Sequence, residues 1–240
     1  MLYRSPIDDV VVYRSPVLDA LDIPHGFGTR QGDDRAIAEA LGLGDRVWVT
    51  VRQVHGHDVH IEDHTPAHDA DLPRCDADAI VLHRPGTVAR VLTADCVPIL
   101  LASTDGRSVA AVHAGWRGLV SGVVAEAVDA LAKPFVAAIG PCIGVNRFEV
   151  GEEVAERFDP RFVRRDLGSR PHVDLRAAAH AIVHDLGARQ IDTTDRCTAH
   201  DEADFYSHRR DVTWRGAETT GRMPSVIGPT SGGSTDQKSP

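Results

Sequence analysis

The chain has 240 residues, 42% of them hydrophobic and 25% charged, which is typical of a globular protein with a sizeable core. Acidic residues outnumber basic ones by 35 to 26, so the formal net charge is −9 and we expect no nucleic-acid partner. No apolar run reaches the roughly 20 residues of a membrane helix, and the first residues lack the apolar core of a signal peptide. We therefore predict no membrane association, a cytoplasmic location and four free cysteines.

Short apolar segments separated by turn signals run through the first half of the chain and predict β-strands. These predicted strands cover residues 10–13, 47–54, 79–83, 88–93, 97–102 and 108–113. Apolar residues at helical spacing then predict a helix over 118–132, which Pro134 ends.

The second half of the chain predicts one more strand at 135–139 and two helices, at 149–158 and 174–186. Strands and helices do not alternate strictly. The pattern therefore favours an α+β fold, an α/β sandwich of mixed β-sheets flanked by helices, over a doubly wound sheet.

No internal repeat or linker divides the chain, so we predict a single catalytic domain over residues 1–227. The segment 228–240 is rich in Gly, Ser, Thr and Pro and predicts a disordered tail. An Asp-rich stretch that contains His60, His64 and His68 predicts an exposed loop.

Three strand ends carry side chains that can bind a metal: RQVHG at 52–56, TADCVP at 93–98 and HAGWRG at 113–118. His55, Cys96 and His113 would form a zinc site of the catalytic kind, which leaves a fourth position for water. The gaps of 41 residues (55 to 96) and 17 residues (96 to 113) match no local zinc motif. A buried free cysteine with two hydrogen-bonded histidines stays open as an alternative.

The same residues also permit a metal-free site, in which Cys96 is a nucleophile and His113 its base. Asp95 adjoins Cys96 and is a candidate for general acid–base catalysis, or for orienting a ligand histidine. Chelation separates the two hypotheses, because only the zinc site needs a metal.

Two further segments could bind an anion. The GPCIG sequence at 140–144, which includes Cys142, can expose backbone N–H groups, although an ordinary turn would have the same sequence. Arg209 and Arg210 offer guanidinium forks that suit phosphate, although a solvated charge pair is the alternative. Arg117 lies at the start of the predicted helix.

These motifs occur in a fixed order and continue with FEVG at 148–151, Cys197-Thr198, SHRR at 207–210 and Gly221-Arg222. With these motifs in this order, the sequence closely resembles the multicopper polyphenol oxidase (laccase-like) family, also known as the YfiH purine nucleoside phosphorylase family. The resemblance covers about residues 26–222. One departure is His208, where the family commonly has tyrosine.

The resemblance implies an α/β sandwich similar to a cysteine hydrolase fold. It implies Zn²⁺ on His55, Cys96 and His113, with copper as the alternative metal. Cys96, His113 and Asp95 are the candidate catalytic residues. Gln53, Arg117, Cys142, Arg209 and Arg210 are the candidate residues for binding substrate or phosphate.

The resemblance also implies phosphorolysis of adenosine, inosine and methylthioadenosine, with deamination of adenosine as a second activity. We therefore expect purine nucleosides and phosphate as small-molecule partners, in a monomer or a homodimer. Copper-dependent oxidation of phenols and amide cleavage in peptidoglycan precursors are alternative functions, and a metal-binding module without activity is the least favoured.

Overall fold

The computed structural model describes residues 1–63 and 75–230, which form two six-stranded sheets and a small two-stranded one. The strands are β1 Tyr3–Ile7, β2 Val10–Arg14, β3 His25–Gly28, β4 Val47–Val49, β5 Val59–Glu62, β6 Ala79–Leu82, β7 Thr87–Thr93, β8 Val97–Ser103, β9 Val109–Ala114, β10 Phe135–Ile139, β11 Val163–Arg164, β12 His172–Val173, β13 Ile191–Asp192 and β14 Met223–Ile227. The helices are α1 Pro16–Asp19, α2 Asp34–Ala40, α3 Trp116–Ser121, α4 Val123–Ala130, α5 Glu152–Ala155 and α6 Leu175–Asp185, with a π-helix at Arg209–Trp214 and 3₁₀ turns at Val145–Arg147 and Pro160–Phe162.

Both large sheets are mixed. Sheet 1 has the order β1-β2-β3-β14-β7-β4 and is antiparallel except where β4 pairs with β7. Sheet 2 has the order β13-β10-β8-β9-β6-β5, with parallel pairs at its two edges. The predicted α+β fold with mixed sheets is confirmed, and β11 pairs with β12 apart from both sheets.

The two sheets pack face to face, and strand β8 shows how the layers divide its side chains. Leu100 and Ala102 lie in the core between the sheets, together with Phe27 and Val91 of sheet 1. The alternate residues of β8 face the opposite way, into a second core that α3, α4 and α6 cover. Since both faces of β8 are buried, its sequence is a continuous apolar run, which is why it was predictable.

The outer face of sheet 1 is covered by α2. Ile37 and Ala38 of this helix, and Leu41 directly after it, pack on Val12 and Val226. The molecule therefore has four layers, helix, sheet, sheet and helices.

Three predicted elements differ from the structure. The strand predicted over 47–54 ends at Val49, after which the chain runs as a loop to the end of the motif. The helix predicted over 118–132 starts at Trp116 and is divided at Gly122, whose φ of 99° breaks the helical path. The helix predicted over 149–158 is confined to Glu152–Ala155.

The first residues of the predicted tail are bound to the body of the molecule. The Gly228 N–H donates to the Pro24 carbonyl at 3.0 Å, and the Thr230 N–H donates to the Gly106 carbonyl at 3.0 Å. Residues 231–240 lie outside the described part of the chain, as do His64 and His68 of the predicted Asp-rich loop. The single domain over 1–227 stays a prediction.

The structure bears on two further expectations, the lack of a membrane helix and the free cysteines. None of the helices there has the length and apolar character needed to cross a membrane. The four cysteines, Cys75, Cys96, Cys142 and Cys197, are all free. The cytoplasmic location, the oligomeric state and the absence of a nucleic-acid partner stay predictions.

Candidate metal centre

Two loops and the end of strand β9 bring His55, Cys96 and His113 together: His55 follows β4, Cys96 directly precedes β8, and His113 lies on β9. Their ligand atoms all lie within 4.8 Å of one another, and no other such cluster of His, Cys, Asp or Glu occurs among residues 1–63 and 75–230. The two imidazole rings meet edge to face with their centroids 4.8 Å apart. His55 is exposed and His113 is buried, so the cluster opens to solvent on the His55 side.

The backbone is unusual at two of the three positions. His55 has a φ of 61° and Asp95, which precedes Cys96, has a φ of 91°. Left-handed backbone at a residue other than glycine costs about 1–3 kcal/mol and persists only where the surroundings impose it. The turns that present His55 and Cys96 are therefore held in place by neighbouring contacts.

Gly115 leaves the room that the cluster needs. A Cβ atom at this position would lie 3.0 Å from Cδ2 of His55 and 3.1 Å from Sγ of Cys96. Both distances are shorter than ordinary van der Waals contact, so a larger residue would push the two ligand side chains apart.

Asp78 is the residue that sequence analysis missed. Its carboxylate accepts the backbone N–H groups of Val54, His55 and Gly56 at 3.2, 3.0 and 2.6 Å. It also accepts Nδ1–H of His113 at 2.7 Å, which leaves Nε2 of His113 free to bind a ligand. The only local signal was an acidic residue directly before the buried strand β6.

The pKa of Asp78 agrees with a role as the ionised acceptor that orients the ring of His113. Burial raises the pKa of its carboxyl, but the hydrogen bonds from His113 and from Gly56 lower it by more. The pKa of Asp78 therefore lies below its ordinary value. A carboxylate behind a ligand imidazole fixes the orientation and the tautomer of that ring.

The donor set suits a metal of the zinc class. Two imidazole nitrogens and one sulfur, open to solvent on one side, are the ligands of many catalytic zinc sites, and copper accepts the same donors. Burial and the charge of His113 lower the pKa of His55, which favours the neutral ring that a metal binds.

Without a metal, Cys96 is a poor nucleophile. Burial, followed by the charge of Asp95, raises the pKa of its thiol to about 12. Cys96, His113 and Asp78 do follow the order of a nucleophile, a base and an orienting group. However, only a thiolate attacks or ligates efficiently, and a bound metal is what would stabilise it here.

The hydrogen bonds of Asp95 join it to the segment 198–209 and not to the two histidines. Its carboxylate accepts the hydroxyl groups of Thr198 at 2.6 Å and Ser207 at 3.0 Å, and the backbone N–H of Arg209 at 2.7 Å. The hypothesis that Asp95 orients a ligand histidine is wrong, because Asp78 holds that position. Its role in acid–base catalysis stays a prediction.

Arg210 is buried and its donors are engaged. Its guanidinium donates to the carbonyls of Thr198 and Phe205, both at 2.9 Å, and to the Asp211 carboxylate at 2.7 Å. This contradicts its predicted part in phosphate binding, because the side chain holds the 198–211 segment together instead.

Two other predicted substrate residues also have structural partners. Both ends of the Gln53 amide pair with the backbone of Leu92 at 2.8 Å. Cys142 lies in the core beneath the helices, where burial raises the pKa of its thiol to about 11. Cys142 is fully buried, whereas Gln53 is half-buried with both polar ends of its amide engaged. Their roles in substrate binding stay predictions.

The predicted anion nest at 140–144 is not formed. The N–H groups of Gly140 and Ile143 donate to the carbonyls of Pro98 and Asp95, at 2.9 and 3.0 Å. The Gly144 N–H donates to Sγ of Cys197 at 3.1 Å. With these donors engaged, the segment connects β10 to the 3₁₀ turn at Val145–Arg147.

Two exposed guanidiniums do act on the cluster. The positive charges of Arg117 and Arg222 lower the pKa of His55, and Arg222 also opposes the rise at Cys96. Arg117 stacks over the ring of Trp116, 4.5 Å from its centroid. Arg222 was part of a recognised motif, but no role was predicted for it.

Arg209 and His208 lie where the π-helix begins. Arg209 donates to the Glu149 carbonyl at 2.8 Å and stacks over Phe148, 5.4 Å from its centroid, beside a cavity. His208, where the family commonly has tyrosine, is exposed just before the π-helix.

Residues 31–230 match the family model described as multi-copper polyphenol oxidoreductase laccase. The chain is 41% identical over 191 residues to the purine nucleoside phosphorylase YfiH of Shigella flexneri, covering 75% of this chain and 72% of the relative. It is 34% identical over 248 residues to a purine nucleoside phosphorylase of Deinococcus radiodurans, covering 89% and 92%.

Solved structures share the same architecture. YlmD from Geobacillus stearothermophilus superposes with a TM-score of 0.80 at 26% identity, covering 95% of this chain and 99% of that one. The hypothetical protein YfiH of Bacillus licheniformis superposes with a TM-score of 0.80 at 23% identity, covering 94% and 98%, and shows the fold alone.

Proposed function

Because the chain belongs to the multi-copper polyphenol oxidoreductase laccase family, we propose that it is a zinc-dependent purine nucleoside phosphorylase. The names of its relatives from Shigella flexneri and Deinococcus radiodurans support this activity. The observation that carries the metal dependence is the cluster of His55, Cys96 and His113, with ligand atoms within 4.8 Å. Adenosine, inosine and methylthioadenosine are the proposed substrates, with adenosine deamination as a second activity of the same centre.

The protein's own residues have separable tasks in this proposal. Zinc, when bound by His55, Cys96 and His113, would supply Lewis-acid polarisation. Asp78 holds the ring of His113 in a single orientation, so that the ligand atom needs no reorganisation.

Arg117 and Arg222 are the proposed phosphate ligands. Both are exposed, and both lower the pKa of His55 through their charge. A guanidinium binds phosphate through paired charge-assisted hydrogen bonds, which would place the attacking anion beside the nucleoside. Arg222→Gln should therefore raise the KM for phosphate about tenfold, the equivalent of about 1.4 kcal/mol, while zinc content is unchanged.

Copper-dependent phenol oxidation is less well supported. A multicopper oxidase combines a blue-copper site with further histidine-bound copper ions. The described part of the chain offers a single cluster of three ligands. Since copper binds such donors more tightly than zinc does, a copper-loaded preparation would show adventitious oxidation.

The test pairs elemental analysis of untagged protein with product detection from inosine, in the presence and absence of phosphate. We expect one zinc per chain, and ribose 1-phosphate only when phosphate is present. His55→Ala should lose both metal and activity. The matched control is His57→Ala, because His57 is also exposed but does not belong to the cluster.

Chelation addresses the cysteine-hydrolase alternative. If metal-free protein cleaved an amide substrate at an undiminished rate, Cys96 would be a nucleophile and the zinc assignment would be wrong. We expect the metal-free protein to be inactive, because burial keeps the thiol of Cys96 protonated at neutral pH.

A further inference from the structure

A cavity of about 690 Å³ opens beside the metal centre. Its wall includes Trp116, Phe148, Trp214, Arg147, Arg170 and Arg209. Two of these residues connect it to the centre. Trp116 directly follows Gly115, and the backbone N–H of Arg209 donates to Asp95, the neighbour of Cys96.

The cavity is positively charged although the chain as a whole is acidic. Three guanidiniums and one carboxylate, that of Glu149, line it, which leaves an excess of two positive charges, 3 − 1, on a chain of net charge −9. Arg170 and Glu149 are only loosely paired, at 3.8 Å. Within residues 1–63 and 75–230, the Arg147 guanidinium pairs with no carboxylate and lies 5.6 Å from the ring centroid of Trp214. A concave site with such a charge excess attracts anions.

The same cavity presents flat aromatic surface. Trp214 is 48% exposed, and Trp116 is half-buried. Arg209 and Trp214 are the two ends of the π-helix, a rare conformation that is frequent at functional sites. Exposed indole rings stack well on nucleobases, because every base offers a π-face.

We propose that this cavity binds a purine nucleotide, with the base stacked on Trp214 and Trp116 and the phosphate held by Arg147 and Arg170. An uncharged nucleoside would leave the guanidiniums without an anion, and inorganic phosphate would leave the aromatic wall empty. A nucleotide uses both features. The proposal does not depend on catalysis at the metal centre, since it uses none of the three metal ligands.

Tryptophan fluorescence measures this binding directly on the full chain. Two of the three tryptophans line the cavity, while Trp48 is on β4 in sheet 1 and gives a constant background. AMP should quench the emission and bind at least tenfold more tightly than adenosine. Ribose 5-phosphate should compete with AMP without quenching.

Variants test the two halves of the site. The double variant Arg147→Gln/Arg170→Gln should lose the tenfold preference for AMP, and Trp214→Phe should lose most of the quenching. Arg161→Gln is the matched control, because Arg161 also stacks on an aromatic ring, 4.6 Å from the centroid of Phe162, but does not line the cavity. Arg147, Arg170 and Arg161 are exposed, and circular dichroism would check that each variant is folded.

Three outcomes would overturn the proposal. Equal affinity for AMP and adenosine, or an unchanged double variant, would mean that the guanidiniums do not bind the phosphate. AMP binding that disappears on chelation would place the nucleotide on the metal centre instead. None of these outcomes bears on whether inosine undergoes phosphorolysis, so this test and that of the proposed function fail separately.

Discussion

Two buried aspartates organise the two sides of the metal centre, and they hold different parts of the molecule. Asp78 binds the loop that carries His55, together with the ring of His113. Asp95 binds the side chains of Thr198 and Ser207 and the start of the π-helix. One carboxylate orients ligands, whereas the other attaches the segment that forms the neighbouring cavity.

The contrast shows that closeness in sequence is a poor guide to function here. Asp95 adjoins Cys96, yet its carboxylate accepts hydrogen bonds from Thr198, Ser207 and Arg209 rather than from a histidine. Asp78 is 23 residues from His55 and 35 from His113, yet it contacts both. What a carboxylate accepts, rather than which residue it follows, decides its part in the site.

Removing Asp78 should have the largest effect. Asp78→Ala leaves three part-buried backbone N–H groups and the buried His113 ring without their acceptor, and an unsatisfied donor costs up to about 1–3 kcal/mol, most where it is fully buried. We expect a loss of about 5 kcal/mol in the free energy of unfolding, with metal affinity lowered about 10–100-fold. Denaturant unfolding and a competitive zinc titration measure both.

The control for Asp78 is Asp76→Ala, two residues away. Asp76 forms an exposed ion pair with Arg52 and should change stability by less than about 1 kcal/mol. Unaltered zinc affinity in Asp78→Ala would show that orientation of His113 does not depend on this carboxylate.

On the Asp95 side, the largest effect should come from Arg210. Arg210→Gln leaves Asp211 and two carbonyl groups without their buried guanidinium, and breaking such a pair costs about 3–5 kcal/mol. We expect a loss of about 4 kcal/mol in stability and no change in the KM for phosphate. Arg215→Gln, at an exposed arginine of the same region, is the control. A selective rise in the phosphate KM would return Arg210 to the phosphate site.

Asp95 itself should have an intermediate effect. Asp95→Ala removes the acceptor of three hydrogen bonds and should cost about 3 kcal/mol, at about 1 kcal/mol each. Asp95→Asn retains an acceptor and should recover part of both stability and kcat. If Asp95→Asn regained stability while kcat stayed at the level of the alanine variant, acid–base catalysis by Asp95 would be supported instead.

The smallest effect concerns acid stability on the Asp95 side. Burial raises the pKa of Asp211, but hydrogen bonds from Arg210, Thr220 and Ser207 bring it down to about 2, from an ordinary 3.8. A lowered pKa stabilises the fold above pH 3.8, and that contribution is lost as the pH falls toward 2. The loss should amount to about 2 kcal/mol.

Asp211→Asn should lack this acid-sensitive contribution, so its stability should vary less between pH 4 and pH 2 than that of the unaltered protein. Asp185→Asn, at an exposed aspartate, serves as the control. Chemical denaturation at several pH values gives the comparison, and identical pH profiles for the two variants would contradict the assignment.

Sheet 2 was largely predictable from sequence because its inner strands are continuous apolar runs. Sheet 1 was less so, since β3 contains Gly26 and Gly28 and β14 contains Pro224, which are poor strand signals. The contributions of these strands depend on neighbours far away in sequence, which no local pattern reveals.

The candidate site, too, was predictable only in part. The family motifs named His55, Cys96 and His113, and the structure brings them together. The phosphate assignment of Arg210 went wrong because its partners are carbonyl groups of Thr198 and Phe205, which carry no side-chain signature. Asp78 was missed because a single acidic residue before a strand is common.

The central position of β14 in sheet 1 has a consequence for how the protein is made. Its partners, β3 and β7, are synthesised long before it. During synthesis, both strands therefore have an unpaired edge until residues 223–227 leave the ribosome. Such non-local pairing slows folding, and it prolongs the time during which aggregation-prone strand edges are exposed to other nascent chains. Deleting β14 would remove no metal ligand, yet it would turn a transient aggregation hazard into a permanent one.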